Sequence, residues 1–183
     1  MKSYQPRLSE SEAKELLTLR GRFFKNKKTV PYRMELIYLP HYFFRLRVKN
    51  KKNQERGFFA AIDAILGNFS MVEKEAMIEQ DLAEAEFEPV IPREEAEEKL
   101  EKEARWFLVA RSLQKREKYV LLDKSPAELA YYPFWLGYYK NKSGAWEFLG
   151  LDAVSGILQG GHGRRLFIHA LASTRVKPRE NGA

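Results

Sequence analysis

The sequence predicts an α+β protein: an internal duplication of a helix followed by an antiparallel β-hairpin, with the helices packed on antiparallel sheet. Three observations predict it. Four landmarks, "EAKELL" (12–17), "RFF" (22–24), "ELIYLP" (35–40) and "IDAILG" (62–67), recur in order as "EAEEKL" (95–100), "RWF" (105–107), "ELAYYP" (128–133) and "LDAVSG" (151–156). The offset between copies runs 83, 83, 93 and 89, so one insertion of about ten residues and one deletion of four reconcile them, both between elements where loops tolerate length changes. The third observation is supply: 183 residues at 44% apolar and 13% aromatic content are enough for a core. The expected organisation is a first helix-hairpin repeat over 1–73, an acidic linker over 74–92, and a second repeat over 93–183 that carries a Gly-rich C-terminal extension.

The first helix has Ser9 or Ser11 as its cap and Leu8, Ala13, Leu16, Leu17 and Leu19 as its apolar positions. The strand that follows divides its side chains by alternation. Tyr38, Tyr42, Phe44, Leu46 and Val48 share one face, and His41, Phe43, Arg45, Arg47 and Lys49 share the other, which reads as a core face and a wet face. The loop "NKKNQERG" (50–57) then turns the chain into "FFAAID". Asp63 closes this second strand, its carboxylate accepting backbone N–H groups while Gly67 takes positive φ.

Two prolines in "EFEPVIPREE" (86–95) mark the joint between copies. Pro92 opens the second helix. Glu94, Glu95, Glu97 and Glu98 crowd its positive end, and Lys115, Arg116 and Lys118 lie near its other end, as the helix dipole prefers. Its core-facing stripe is Ala96, Leu100, Ala104, Phe107, Leu108 and Arg111. The second hairpin runs from "YYPFWLGYYK" through "NKSG" into "AWEFLGLD", a turn whose Asn and Gly accept positive φ. Pro40 and Pro133 occupy equivalent places, each an expected strand entry or bulge, because proline removes a ladder donor.

Charge is segregated along the chain. Residues 73–104 hold thirteen Asp or Glu against four Lys or Arg, while the whole chain is +7, so the remainder carries +16. The run 20–56 is the most basic, and such a field favours a polyanion, an acidic partner surface, or the acidic segment of a second copy. Within it His41, Phe43, Arg45, Arg47, Lys49, Lys51, Lys52 and Arg56 form the candidate ligand- or partner-binding stripe, combining phosphate-reaching cations with a stacking surface. The other reading of these residues is a solvated strand. In the second copy the matching face is Tyr132, Phe134, Leu136, Tyr138 and Lys140, a candidate core or dimer contact.

Assembled chemistry is sparse. His41, His162 and His169 show no metal-ligand spacing, and the acidic run lacks the order of a calcium loop. No metal or cofactor is therefore expected. Within "GILQGGHGRR", His162, Arg164 and Arg165 form a possible anion site, although a flexible turn before "LFIHALAS" explains the glycines more simply. His169 reads as a packed side chain. Ser155 has no base at a triad spacing. Asp63 and Asp152 are alternatively a catalytic dyad across a pseudo-twofold axis, but turn chemistry accounts for both. There is no cysteine, which fits a reducing compartment; no apolar run is long enough to cross a bilayer and no signal peptide is recognised, so the expected location is cytoplasmic.

A helix followed by a hairpin whose last strand runs into "DAVSG" resembles the PepSY module, a small α+β unit whose closing strand ends in a similar Asp-Ala-x-x-Gly turn. The likeness covers about 60 residues per copy. It implies a binding or inhibitory role rather than catalysis, and a setting outside the cytoplasm or beside membranes, at odds with the location read above. The expected function is a non-catalytic binding or scaffolding module with a protein partner or itself as a homo-oligomer. The alternatives are a nucleic-acid-binding protein using residues 41–56 and a small-molecule enzyme with its site between the repeats.

Overall fold

The protein is α+β, with three α-helices and ten strands of mixed direction among the residues described. The computed structural model describes residues 1–20, 28–72, 77–116, 118–141 and 143–174. The "RFF" landmark, with Arg22, Lys25 and Lys27 of the basic run, lies outside them, as does Lys142 of the second turn. In chain order the elements are β1 (Lys2–Tyr4), α1 (Glu10–Leu17), β2 (Leu19–Arg20), β3 (Lys28–Thr29), β4 (Arg33–Asn50), β5 (Glu55–Asp63), β6 (Phe69–Val72), β7 (Glu79–Asp81), α2 (Arg93–Lys115), β8 (Tyr119–Lys124), β9 (Glu128–Lys140), β10 (Trp146–Asp152) and α3 (Gly161–His169), which continues as a π-helical turn over Ala170–Thr174. Two compact units interleave the sequence halves: Met1–Leu39, Ala76–Glu88 and Tyr131–Ala183 make the first, and Pro40–Glu75 with Pro89–Ala130 make the second. Strands β4 and β9 each run from one unit into the other.

In the first unit the strand order is β4-β9-β1-β7, with β10 also hydrogen-bonded to β9. Strand β1 runs parallel to β9 and antiparallel to β7, and β9 with β10 forms a hairpin in which Phe134 faces Asp152 and Lys140 faces Trp146. Helix α1 starts at a capping box. The Ser9 hydroxyl accepts the Glu12 N–H at 3.4 Å, and the Glu12 carboxylate accepts the Ser9 N–H at 2.9 Å. Its buried residues Ala13 and Leu17 pack with Trp135, Leu151 and Ala153, while the Trp135 indole N–H donates to the Leu8 carbonyl at 3.1 Å. The Tyr139 hydroxyl donates to the Leu17 carbonyl, closing the C-terminal end of the helix against β9.

The second unit has the order β6-β5-β4, with β8 also on β4, and all of these pairings are antiparallel. Helix α2 lays Ala96, Leu100 and Ala104 against Tyr42, Phe44, Leu46, Ala60 and Ile62, and its Leu108 against Val48 and Tyr119. Of the predicted stripe, Ala96, Leu100, Ala104 and Leu108 are buried and Phe107 and Arg111 are half-buried. Pro92 sits at the N-cap position with no side-chain cap bond, and Arg116 takes the left-handed C-cap conformation at φ 51°. The helix of the first half thus lies on the hairpin of the second half, and the helix of the second half on the hairpin of the first. An apolar stripe specifies that a helix must bury one face, but not which of two similar hairpins it covers.

The two hairpins close alike. Asp63 N–H donates to the Asn68 carbonyl, Gly67 N–H to the Asp63 carbonyl, and Ala64 N–H to the Pro40 carbonyl; Asp152, Ile157, Gly156, Ala153 and Pro133 repeat the pattern bond for bond. Gly67 and Gly156 hold φ of 78° and 74°, where a side chain would be strained.

Candidate binding surface

From Leu39 to Phe44 every residue of β4 is buried, so its two-faced alternation starts only at Arg45. Chain covers both faces of this central stretch. His41 and Phe43 are accordingly 6% and 5% exposed, and they belong to the interior rather than to a stacking surface. Of the predicted stripe, Arg45 and Arg47 are exposed, Lys49 is half-buried, and Lys51, Lys52 and Arg56 are exposed on the hairpin end.

These cations share one surface of the second unit because of register. Arg45, Arg47 and Lys49 alternate on the β4 face opposite to Phe44, Leu46 and Val48, which α2 covers, and their β5 partners are Phe59, Gly57 and Glu55. The Arg45 guanidinium lies 5.4 Å from the centre of the half-buried Phe59 ring, within cation–π range, so Phe59 is covered by a cation rather than open to a base. Arg47 is 3.6 Å from Asp123 on β8 and 3.9 Å from Glu55, both exposed pairs at the weak end of ion-pair strength. The surface is therefore a cluster of solvated cations with two carboxylates at its edge. It can attract an anionic group, and neither Phe43 nor Phe59 offers that group a free aromatic face. The loop that carries it is ordered by Asn50, whose Oδ1 accepts the N–H of Lys52 at 3.0 Å and of Gln54 at 2.9 Å, with Asn53 at φ 61°.

The matching face of the other hairpin has a different fate. Tyr132, Phe134 and Leu136 are buried, and Phe167 of α3 meets Phe134 at 5.3 Å and Phe148 at 6.3 Å, both edge-on. The C-terminal helix covers this face, so of the two expectations it is core within the unit. Sequence reading missed α3 because its helix begins inside the glycine run, with Gly160 as N-cap and Gly161 as its first residue. His162, Arg164 and Arg165 project from that first turn and are all exposed, with Arg164 5.9 Å from the Phe148 ring. His169, expected to be packed, is exposed at the end of α3; its neighbours Leu166, Phe167 and Ala170 carry the buried stripe.

The aspartates are engaged in turns. Asp63, 2% exposed, accepts N–H groups from Ile65 at 3.1 Å, Leu66 at 2.5 Å and Gly67 at 3.2 Å on Oδ1, and from Asn68 at 2.7 Å on Oδ2. Asp152 accepts from Val154 at 2.8 Å and Ser155 at 2.9 Å, and its third partner is the Tyr132 hydroxyl. Both carboxylates already satisfy their own turns, which is the opposite of a poised acid-base pair. No group of three or more His, Asp or Glu suited to a metal occurs among the described residues, and none of the helices described there is long and apolar enough to cross a membrane.

No family model, curated protein or solved structure matches the chain.

Proposed function

We propose that the protein is a non-catalytic binding module built from a duplicated helix-hairpin unit, and that it holds an anionic partner on the cationic sheet face of its second unit. The observation that carries this reading is the exposure of Arg45 and Arg47 beside Lys51, Lys52 and Arg56, on the face of β4 opposite to the one α2 covers. The duplication is supported by the two closing turns, which repeat the same three backbone bonds around Asp63 and Asp152. The PepSY resemblance belongs to the same proposal and rests on the Asp-Ala-x-x-Gly form of those turns. A homo-oligomeric, cytoplasmic protein is part of it too, supported by charge segregation and by a thiol-free composition.

The partner chemistry favoured is an acidic protein surface rather than a single-stranded nucleic acid. Phe43 is buried and Phe59 lies under Arg45, so neither of these two rings beside the cations is open to a stacked base. The test is fluorescence-polarisation binding of an acidic peptide and of short oligonucleotides across a salt series. It compares the parent with Arg45→Ala/Arg47→Ala/Lys49→Ala and with a control losing equal charge elsewhere, Arg7→Ala/Lys14→Ala/Arg165→Ala. Peptide binding lost only in the first variant supports the reading. Preference for oligonucleotides, with the same loss, moves it to nucleic acid. Equal weakening in both variants, or no binding at low salt, overturns it.

A further inference from the structure

Helix α3 covers the hairpin of β9 and β10 only in part. Its Phe167 reaches Phe134 and Phe148, and beyond Phe148 the same face ends in exposed side chains. There Lys140 of β9 faces Trp146 of β10, one row beyond the pair Tyr138 and Phe148. The segment leading into β4 brings Tyr32 and Arg33 alongside, with the Tyr32 N–H donating to the Tyr138 carbonyl at 2.7 Å. Tyr32 is 74% exposed and Trp146 55%.

Rings and cations alternate across this patch. The Lys140 ammonium lies 4.9 Å from the centre of the Trp146 ring and 5.2 Å from that of Tyr32, and the two rings stand 5.5 Å apart at 71°. In the next row Arg33 lies 5.5 Å from the Tyr138 ring, and Arg164 of α3 lies 5.9 Å from Phe148. One ammonium covers at most one face of each ring, so Tyr32 and Trp146 keep open aromatic surface, unlike the half-buried Phe59 under Arg45. The nearby carboxylates are engaged elsewhere. Glu35 is half-buried and accepts from the Tyr138 hydroxyl at 2.8 Å, with Arg33 at 3.4 Å. Glu147 alternates to the opposite face of β10 and accepts from the Asn141 amide at 3.2 Å. Among the described residues no carboxylate pairs with Lys140 or Arg164.

This chemistry selects an occupant. An apolar partner surface would bury Lys140 without a counter-charge, which is costly. An acidic peptide answers the cations but brings no ring to the aromatic faces, and a nucleic-acid duplex keeps its bases stacked inside. A single strand supplies both phosphates for the cations and free bases for the rings. We propose that Tyr32 and Trp146, with Lys140, Arg33 and Arg164, form a site for single-stranded nucleic acid, its bases stacked on the two exposed rings and its phosphates held by the three cations. The site goes beyond the acidic-partner reading, since all of its residues belong to the first unit whereas Arg45 and Arg47 belong to the second.

The test is fluorescence polarisation on the full chain across a salt series. The probes are a labelled single strand of about sixteen nucleotides, the same sequence as a duplex, and an oligoglutamate peptide. The parent is expected to bind the single strand more tightly than the duplex. Tyr32→Leu/Trp146→Leu removes the rings and no charge, and is expected to lower single-strand affinity about tenfold or more with an unchanged salt slope. Tyr32→Phe/Trp146→Phe should stay within about threefold of the parent. Lys140→Gln should reduce the slope of log affinity against log salt by about 0.7, the share of one phosphate contact. Circular dichroism and urea midpoints confirm that each variant keeps its fold. No single-strand binding at low salt, equal affinity for the duplex, or Leu and Phe pairs that behave alike overturns the proposal. So does peptide binding lost in the Leu pair while single-strand binding is kept, which gives the surface to a protein. Arg45→Ala/Arg47→Ala/Lys49→Ala should keep single-strand affinity within about threefold while losing the peptide, so either site can fail without the other.

Discussion

The Tyr132 hydroxyl donates to both carboxylate oxygens of Asp152, at 3.1 Å to Oδ1 and 3.2 Å to Oδ2. Leu39 holds the equivalent place before Pro40 in the other hairpin, and there the fourth bond to the turn aspartate comes from the Asn68 N–H. Burial, then the nearby Asp152 charge and the hydrogen bond to it, hold the Tyr132 phenol far above its usual range, and burial pushes Tyr139 up to about 12. The folded protein therefore keeps these protons to higher pH than the unfolded chain does. The associated stability is complete below about pH 10 and is lost as pH rises beyond it. Tyr132→Phe is expected to cost about 1–3 kcal/mol at neutral pH and to flatten this alkaline loss, both measured by urea unfolding between pH 7 and 11.

Asp63 is the more demanding of the two turn residues. Its side chain satisfies four N–H groups and is almost wholly buried, whereas Asp152 is half-buried and satisfies two N–H groups and a hydroxyl. Asp63→Ala leaves buried donors without an acceptor and is expected to cost about 3–5 kcal/mol; Asp152→Ala should cost about 1–3 kcal/mol. Denaturation midpoints compared at a common slope test the order, and equal losses would refute the burial argument.

Gly150 on β10 lies under the Phe167 ring, and a Cβ there would overlap its Cε2 atom. Gly150→Ala is expected to cost about 1–3 kcal/mol through overpacking, and Phe167→Ala about 3–5 kcal/mol through the cavity it leaves. The double variant should cost clearly less than the two losses combined, because the small side chain at 167 makes room for the new methyl. Additive losses would separate α3 from β10.

Local sequence chemistry was legible where one short-range cause decides the outcome. Ser9 with Glu12, the Ala96–Leu100–Ala104 stripe, and the Asp-Ala-x-x-Gly turns each follow from residues within a few positions of one another. The α+β class followed from these. Alternation along β4 failed from Leu39 to Phe44 because burial on both faces is a tertiary property, and that took His41 and Phe43 out of the candidate site while leaving Arg45 and Arg47. Helix α3 was hidden by Gly160, Gly161 and Gly163, since a glycine run opposes a helix locally and only the packing of Leu166 and Phe167 compensates.

The capping box at Ser9 fixes where α1 begins, and α1 is only eight residues long, so its ends carry a large share of its stability. Ser9→Ala is expected to cost about 1 kcal/mol. The side-chain and backbone hydrogen bonds from Ser9 hold the Glu12 carboxyl below its usual value. A depressed carboxyl contributes above its unfolded pKa, near 4.3, and its contribution disappears as pH falls through the lower folded value. Glu12→Gln should therefore match the parent's stability at low pH and fall below it at neutral pH. Hydrogen exchange at Ala13 and Leu17, which α1 buries against Trp135 and Leu151, reads this locally: faster exchange in Ser9→Ala is expected, and unchanged protection would mean that packing alone holds the helix.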